Sequence, residues 1–148
     1  MLDGHETIQW LRDRAEISDV LFAFARALDS KDWQGYADLF AEDGHLLLPW
    51  GDKIPKGQVA AGASGGLGRY EHTHHLSANH QIEISGDTAV THSYVQALHV
   101  PAENPRSDHW LVLGWYDNKL RRENGAWKFT EVALTSVWEN REVAGPPR

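Results

Sequence analysis

Between Glu6 and Asp29 no proline interrupts the chain, and from Val20 to Leu28 every residue except Arg26 is apolar. A helix that is apolar on nearly all sides is covered on nearly all sides, so this stretch predicts a central helix embraced by the rest of the fold. Asp32 stands where an N-cap is needed for a second helix, in which Trp33, Tyr36, Ala37 and Phe40 recur at i, i+3, i+4 and i+7 and form one core-facing stripe. A short run from His45 to Leu48 ends at Pro49. The segment from Gly57 to Gly68, rich in Gly and Ala, is weakly patterned and reads as a loose helix or a lid.

The second half reads as strand. Runs rich in Thr, Val, Ile and aromatic residues lie at about 72–84, 88–100, 107–122 and 126–138, separated by Ser85-Gly86-Asp87, by Pro101 to Pro105, and by Asn124-Gly125. Asn-Gly between two such runs is a strong hairpin signal. Two or three helices followed by a four-to-five-stranded antiparallel meander is an α+β order, in which a curved sheet wraps a long helix. The pattern shows no repeat, linker or second domain, so one domain over residues 1–148 is expected, and the tail ending Gly145-Pro146-Pro147-Arg148 reads as a frayed end or an oligomer contact.

From Trp110 to Tyr116 the chain is apolar on both parities, with Leu111, Leu113 and Trp115 on one and Trp110, Val112 and Tyr116 on the other. A strand with one solvated face would alternate instead. With no helix left to cover the outer face, a second subunit is the economical cover, and a homodimer or homotrimer is expected.

Composition narrows the function classes. A chain of 148 residues can bury roughly 68% of its unfolded surface, enough for a core with a pocket. Its net charge of −7 argues against nucleic acid as a partner, because that role needs a clustered basic surface. There is no cysteine, hence neither a disulfide framework nor a thiolate site. Asp3, Glu6, Arg12, Asp13, Arg14 and Glu16 near the start match no secretory or membrane-spanning pattern, and a soluble cytoplasmic protein without a membrane partner is expected.

The candidate chemistry lies in Asp29, at the end of the long helix, and in the histidine-dense stretch His72-Thr73-His74-His75. Imidazole titrates near neutrality and a carboxylate can orient it, which are the parts of a general acid/base site. If Ser85-Gly86-Asp87 is a three-residue hairpin loop, residue 84 lies opposite 88, His75 opposite Ala97 and Thr73 opposite His99. His75 and His99 then become diagonal neighbours on one face; a two-residue loop flips the parity and separates them. Thr73, Ser77 and Asn79 share the parity of His75 as a polar row, against an apolar row of Leu76, Ala78, Ile82 and Ile84. Plainer readings stand beside these: Asp29 could pair with Arg26 or serve the start of the next helix, and His72 and His74 form a possible metal pair that lacks a third ligand at recognisable spacing. No metal or other cofactor is expected.

Three stretches carry a resemblance: Leu28-Asp29-Ser30-Lys31-Asp32-Trp33, the Thr73-His74-His75 strand start, and the hairpin Asn124-Gly125-Ala126-Trp127-Lys128-Phe129. Over about residues 8–138 the chain resembles the SnoaL-like group of the nuclear transport factor 2-like superfamily, and within it scytalone dehydratase and hexachlorocyclohexane dehydrochlorinase. The resemblance implies a cone-shaped barrel with a deep apolar pocket, and Asp29 orienting His75 as general base. It also implies His99 as a second catalytic histidine and a pocket polar group near Tyr116. Departures are equally plain: the dehydratase has Tyr where this chain has Leu28, and the dehydrochlorinase has Lys and Arg where it has Phe24 and Val132.

The expected function is therefore a cofactor-independent lyase of the dehydratase type. Asp29, His75 and His99 are its expected catalytic groups. Phe24, Leu28, Trp50, Trp115 and Tyr116 are expected to bind an apolar aromatic, polyketide-like or terpenoid molecule, with Phe22 among the apolar surroundings. Isomerisation or cyclisation in the same pocket is the nearest alternative. A non-catalytic ligand carrier, or a subunit like the small one of ring-hydroxylating oxygenases, is the competing class.

Overall fold

The computed structural model describes Met1 and residues 3–141, and the Gly145-Pro146-Pro147-Arg148 tail lies outside the described residues. Helix α1 spans Gly4–Asp29. Asp3 fixes its start: the Asp3 carboxylate accepts from the Glu6 backbone N–H at 2.8 Å while the Glu6 carboxylate accepts from the Asp3 N–H at 2.9 Å, so two orphan donors are satisfied reciprocally. Its end is set by Lys31, which turns into the left-handed region at φ 58° and anchors its ammonium on the Tyr70 carbonyl at 2.8 Å.

Ile17, Leu21, Phe24 and Leu28 form one buried stripe on α1, each contributing roughly 1.5–3 kcal/mol by leaving water. The helix is not embraced on every side. Phe22 remains 52% exposed, as do Ile8 and Leu11 in large part, because α1 packs against a single face of a sheet that does not close around it. Helix α2, Trp33–Asp38, is capped as the sequence predicts, with the Asp32 carboxylate accepting from Gly35 N–H at 2.9 Å. Phe40, the last member of the predicted stripe, is buried but begins strand β1 rather than continuing the helix.

Strand β1 (Phe40–Leu47) and β2 (Lys53–Pro55) precede helix α3 (Lys56–Leu67), and four long strands follow: β3 (His72–Ser85), β4 (Thr88–Val100), β5 (Trp110–Glu123) and β6 (Ala126–Glu139). The strand order is β2-β1-β6-β5-β4-β3. The antiparallel meander of β3 to β6 follows the sequence pattern. The first half of the chain adds two short strands, and β1 runs parallel to β6, so the architecture is α+β, as expected, with a curved, mixed and open six-stranded sheet. Asn124 and Gly125, at φ 50° and 80°, turn the last hairpin as an Asn-Gly pair is suited to do.

The β3–β4 hairpin has the shorter of the two loops that the sequence allows, yet keeps the register of the longer one. Ser85 pairs with Thr88, so the loop is the two residues Gly86 and Asp87, not three. That loop would place His75 and His99 on opposite faces. A β-bulge at Asn79 and His80, between the pairs Ala78/Tyr94 and Gln81/His92, inserts one residue and restores the register His75↔Ala97 and Thr73↔His99. Asn79 takes φ 55° to make it. The bulge also splits the predicted rows: Thr73, His75 and Ser77 face inward before it, and Ile82 and Ile84 face inward after it, packed with the core under α1.

The opposite face of the sheet carries Leu76, Tyr94 and Trp138 exposed, with Tyr94 paired across from Trp115 and Leu113 from Trp138. Among the described residues no helix is long and apolar enough to cross a membrane.

Candidate active site

Asp29 sits at the C-terminal end of α1, where the helix dipole disfavours an anion, and three donors hold it there. His75 Nδ1 lies 2.6 Å from Asp29 Oδ1, the His75 backbone N–H donates to Oδ2 at 2.9 Å, and Thr73 Oγ1 donates to Oδ1 at 2.9 Å. Burial pushes the Asp29 carboxyl up, but the His75 ring and backbone donors and the Thr73 hydroxyl outweigh it and hold the carboxyl below its ordinary range. The carboxylate can only accept, so His75 carries a proton on Nδ1, and in the neutral ring Nε2 is the free nitrogen. Arg26, the alternative partner for Asp29, makes no ion pair with it.

His99 faces this dyad from β4. Its ring is edge-on to His75 with centroids 5.5 Å apart and stacks on Trp110 at 4.2 Å. Nδ1 donates to the Trp110 backbone carbonyl at 3.0 Å, which leaves Nε2 unprotonated. Burial lowers the His99 pKa to about 4, with the His75 and Arg141 charges pushing the same way and the Trp110 carbonyl opposing. His99 is therefore neutral at physiological pH, an acceptor rather than an acid.

Both imidazoles line a cavity of about 680 Å³ enclosed by α1, α3 and the inward face of the sheet, a size suited to a small organic molecule. Phe24, Leu28 and Tyr116 line it from α1 and β5, and Trp50 from the loop after β1. Trp115 does not: its parity turns it to the opposite face of the sheet, where its ring lies 5.8 Å from His92. Phe22 likewise points away and packs on His80 at 4.8 Å. His72 and His74 are exposed on the outer side of β3, and no metal-binding cluster of three His, Cys, Asp or Glu occurs among the described residues.

Several lining groups escape a reading of the sequence alone. Tyr36, legible there only as part of an apolar stripe, lines the cavity beside Tyr116, with Phe24 edge-on to both rings at 5.0 and 5.3 Å. Burial raises both phenols well above their ordinary range, with the Tyr116 charge adding to the effect at Tyr36. Both remain hydrogen-bond donors at any physiological pH. Beneath His75 a recess of about 10 Å³ is bordered by Ser77, Ser93 and Asn118, and the Ser93 Oγ and Asn118 Oδ1 atoms are buried there without a protein partner. That space is about one water molecule in size, and those atoms are acceptors for one. Arg69 and Arg141 stand at the rim. The alternation of β3, β4 and β5 could have pointed to Ser77, Ser93 and Asn118; the arginines lie in a loop and beyond the last strand, where no period operates.

The family described as "SnoaL-like domain" matches residues 9–133. A solved protein of Kribbella flavida is 28% identical, with 87% of this chain and 93% of that one covered and a TM-score of 0.80. A candidate scytalone dehydratase of Novosphingobium aromaticivorans is 20% identical over 94% of this chain and 93% of its own, with a TM-score of 0.85. A type 2 hexachlorocyclohexane dehydrochlorinase is 20% identical over 95% and 98%, with a TM-score of 0.79. At those identities the last two speak for the fold alone. No curated protein matches the chain.

Proposed function

Because the chain belongs to the SnoaL-like domain family, we propose that it is a cofactor-independent lyase that eliminates water, or a comparable leaving group, from an apolar small molecule. The single observation that carries this reading is the Asp29–His75 pair, a base with its free nitrogen at a largely apolar cavity and its other nitrogen fixed by a carboxylate. The names borne by the two enzyme-like neighbours, a dehydratase and a dehydrochlorinase, are of the same class.

In this reading His75 Nε2 takes a proton from a carbon beside a carbonyl, and Asp29 steadies the imidazolium that results. The phenols of Tyr36 and Tyr116 donate to the enolate oxygen as charge develops on it. As the electron pair forms the new C=C bond the C–O bond breaks, and the departing hydroxide takes the proton back from His75. The products are the alkene and water, and the enzyme returns to its starting state. Leu28, Phe24 and Val132 offer neither a cation nor a phenol, so the donors here come from elsewhere in the lining.

A second reading has its own support. His99 Nε2 is a free acceptor beside the dyad, its ring edge-on to His75 with centroids 5.5 Å apart, and a proton accepted by one ring and returned at another carbon would be an isomerisation. Screening aromatic, polyketide-like and terpenoid alcohols and ketones by thermal shift, followed by turnover, tests both. Ligands that stabilise His75→Gln as well as they do the wild type while turnover stops support the catalytic reading. Unchanged turnover in His75→Gln rules out His75 as the base, and ligands that bind the wild type with no turnover at all leave a non-catalytic ligand carrier in its place.

A further inference from the structure

The rim of the cavity holds a charge arrangement that elimination from a neutral molecule does not require. Arg69, just after α3, and Arg141, just after β6, reach toward each other over the opening, and both donate to the same atom: the Tyr70 phenol oxygen receives Arg69 Nη2 at 3.1 Å and Arg141 Nη2 as well. Arg141 also lies over the Trp110 ring at 4.6 Å, and Arg69 over the Tyr70 ring at 5.0 Å. Tyr70 is buried and fixed, so the two guanidinium groups are held at a defined separation rather than swinging freely.

Two cations sharing one neutral acceptor repel each other. A pair placed for structural reasons ordinarily has a carboxylate between its members. Here neither guanidinium lies within ion-pair distance of a carboxylate among the described residues, although the same chain gives Arg121 and Arg122 two acidic partners each. Glu139, which also lines the cavity, is occupied by the Trp110 indole N–H at 2.7 Å. In a chain of net charge −7, the cavity mouth is a local exception in sign.

We propose that Arg69 and Arg141 form a clamp for a carboxylate on the substrate, so that the cavity takes an amphipathic organic acid with its apolar body against Phe24, Leu28 and Val112 and its carboxylate at the rim. The guanidinium fork matches a carboxylate in two parallel hydrogen bonds, and an anion between the two groups removes the repulsion that the phenol oxygen cannot. Stacking on Trp110 and Tyr70 spends the faces of the guanidinium groups and leaves N–H edges for the ligand. The clamp also orients: with the acid held at the opening, the carbon skeleton enters in one direction and presents its far part to His75 and His99. This inference rests on reading the cavity as a substrate pocket and narrows the substrate class.

The test is binding rather than turnover. Calorimetric titration with 2-naphthoate and with its neutral match 2-naphthamide, on wild type, Arg69→Gln, Arg141→Gln, the double variant and His75→Gln, separates the charge from the ring. The expected result is at least tenfold tighter binding of the acid than of the amide to wild type at low salt. That preference falls as salt is raised, is reduced in each single Arg variant and disappears in the double variant while amide affinity stays the same. Equal affinity for the two ligands in wild type, a preference that survives in the double variant, or no binding of either ligand overturns the clamp. His75→Gln keeps the preference whether or not it retains turnover, so failure of the elimination chemistry and failure of the clamp give different results.

Discussion

The Asp29 carboxylate receives both the ring Nδ1–H and the backbone N–H of His75, at 2.6 and 2.9 Å, across 46 positions of chain. The backbone contact fixes where the strand lies against the helix end, and the ring contact fixes which nitrogen is free. Substituting the carboxylate separates these two jobs.

In Asp29→Asn the amide oxygen can still accept from the backbone N–H, but the amide nitrogen can donate to Nδ1 and place the ring proton on Nε2. We expect turnover to fall on the order of 10²–10⁴-fold with melting temperature nearly unchanged. Steady-state rates and calorimetry on the same preparation check both. Turnover within threefold of wild type would remove Asp29 from the mechanism.

His99 ties stability to pH. Folded, it stays neutral down to about pH 4 because burial disfavours its charge, whereas an unfolded histidine takes up a proton near pH 6.5. Between those values the unfolded chain binds more protons, so stability falls as pH is lowered through the window, by about 3 kcal/mol at its acid end. Asp13, Asp29 and Glu131 have depressed carboxyl pKa values, so their contributions are present above the unfolded carboxylate pKa and are lost only at lower pH. Urea titrations at pH 7.5 and 4.5 should therefore show a smaller drop in His99→Phe than in wild type.

Asn79 should behave as a backbone requirement rather than a contact. At φ 55°, Asn79→Gly is expected to be neutral or slightly stabilising, and Asn79→Val to cost about 1–3 kcal/mol. Deleting the residue removes the bulge and turns His75 and Ser77 to the outer face or forces the loop to rearrange. Chemical denaturation of the three variants, with activity of any that fold, distinguishes a register device from a passive irregularity.

Asp13 and Arg122 join the middle of α1 to the end of β5 in a two-pronged pair at 2.7 and 2.9 Å, with the guanidinium also 4.5 Å from the centre of the Trp127 ring. The Asp13 side chain is 6% exposed. Arg122 keeps Asp87 as a second acidic partner at 2.9 Å when Asp13 is removed, so Asp13→Ala should cost about 1.5–3 kcal/mol, the range for hydrogen bonds to a charged group. A double-mutant cycle with Arg122→Met should recover part of that loss, and strictly additive losses would show that the two side chains do not interact.

The apolar outer face, with Leu76, Tyr94, Trp115 and Trp138, is proposed as the contact with a second copy of the chain. Light scattering at micromolar concentration should give at least twice the 16.7 kDa monomer mass, and Trp138→Glu should lower it. A monomeric mass for the wild type would end that proposal.

Much of the fold is written in period-two and period-3.6 patterns, and those parts can be read directly: α1, the four long strands, the Asp32 cap and the Asn124-Gly125 turn. What escapes is whatever departs from a period. The bulge at Asn79 has no hydrophobic signature, so the sequence leaves the loop length open, and the histidine register depends on a residue inserted within β3 rather than on the loop alone. The β1–β6 pairing is parallel and long-range, and nothing local in Phe40–Leu47 announces it. Trp115 reads as a pocket residue by type, although its parity is that of Leu111 and Leu113 and opposite to that of Tyr116. A curved but open sheet left Phe22 exposed, because apolar content along a helix does not say how far the sheet wraps. Asp29 and His75 were readable since one lies at a helix end and the other on a strand whose face the register fixes; Tyr36, Arg69 and Arg141 were not, since their roles depend on where separate elements meet.

Helix α3 contributes to the cavity mainly what it lacks. Gly62, Ala63 and Gly66 border the space, the helix buries only Val59 fully, and a methyl group on Gly66 would meet nothing within 4 Å while one on Gly62 would touch only the tip of Ile54 at 3.8 Å. Substitutions along this wall therefore trade ligand volume one increment at a time at little cost to the core. Evolution, or a protein engineer, can retune what fits by editing one peripheral helix while leaving the Asp29–His75 chemistry untouched.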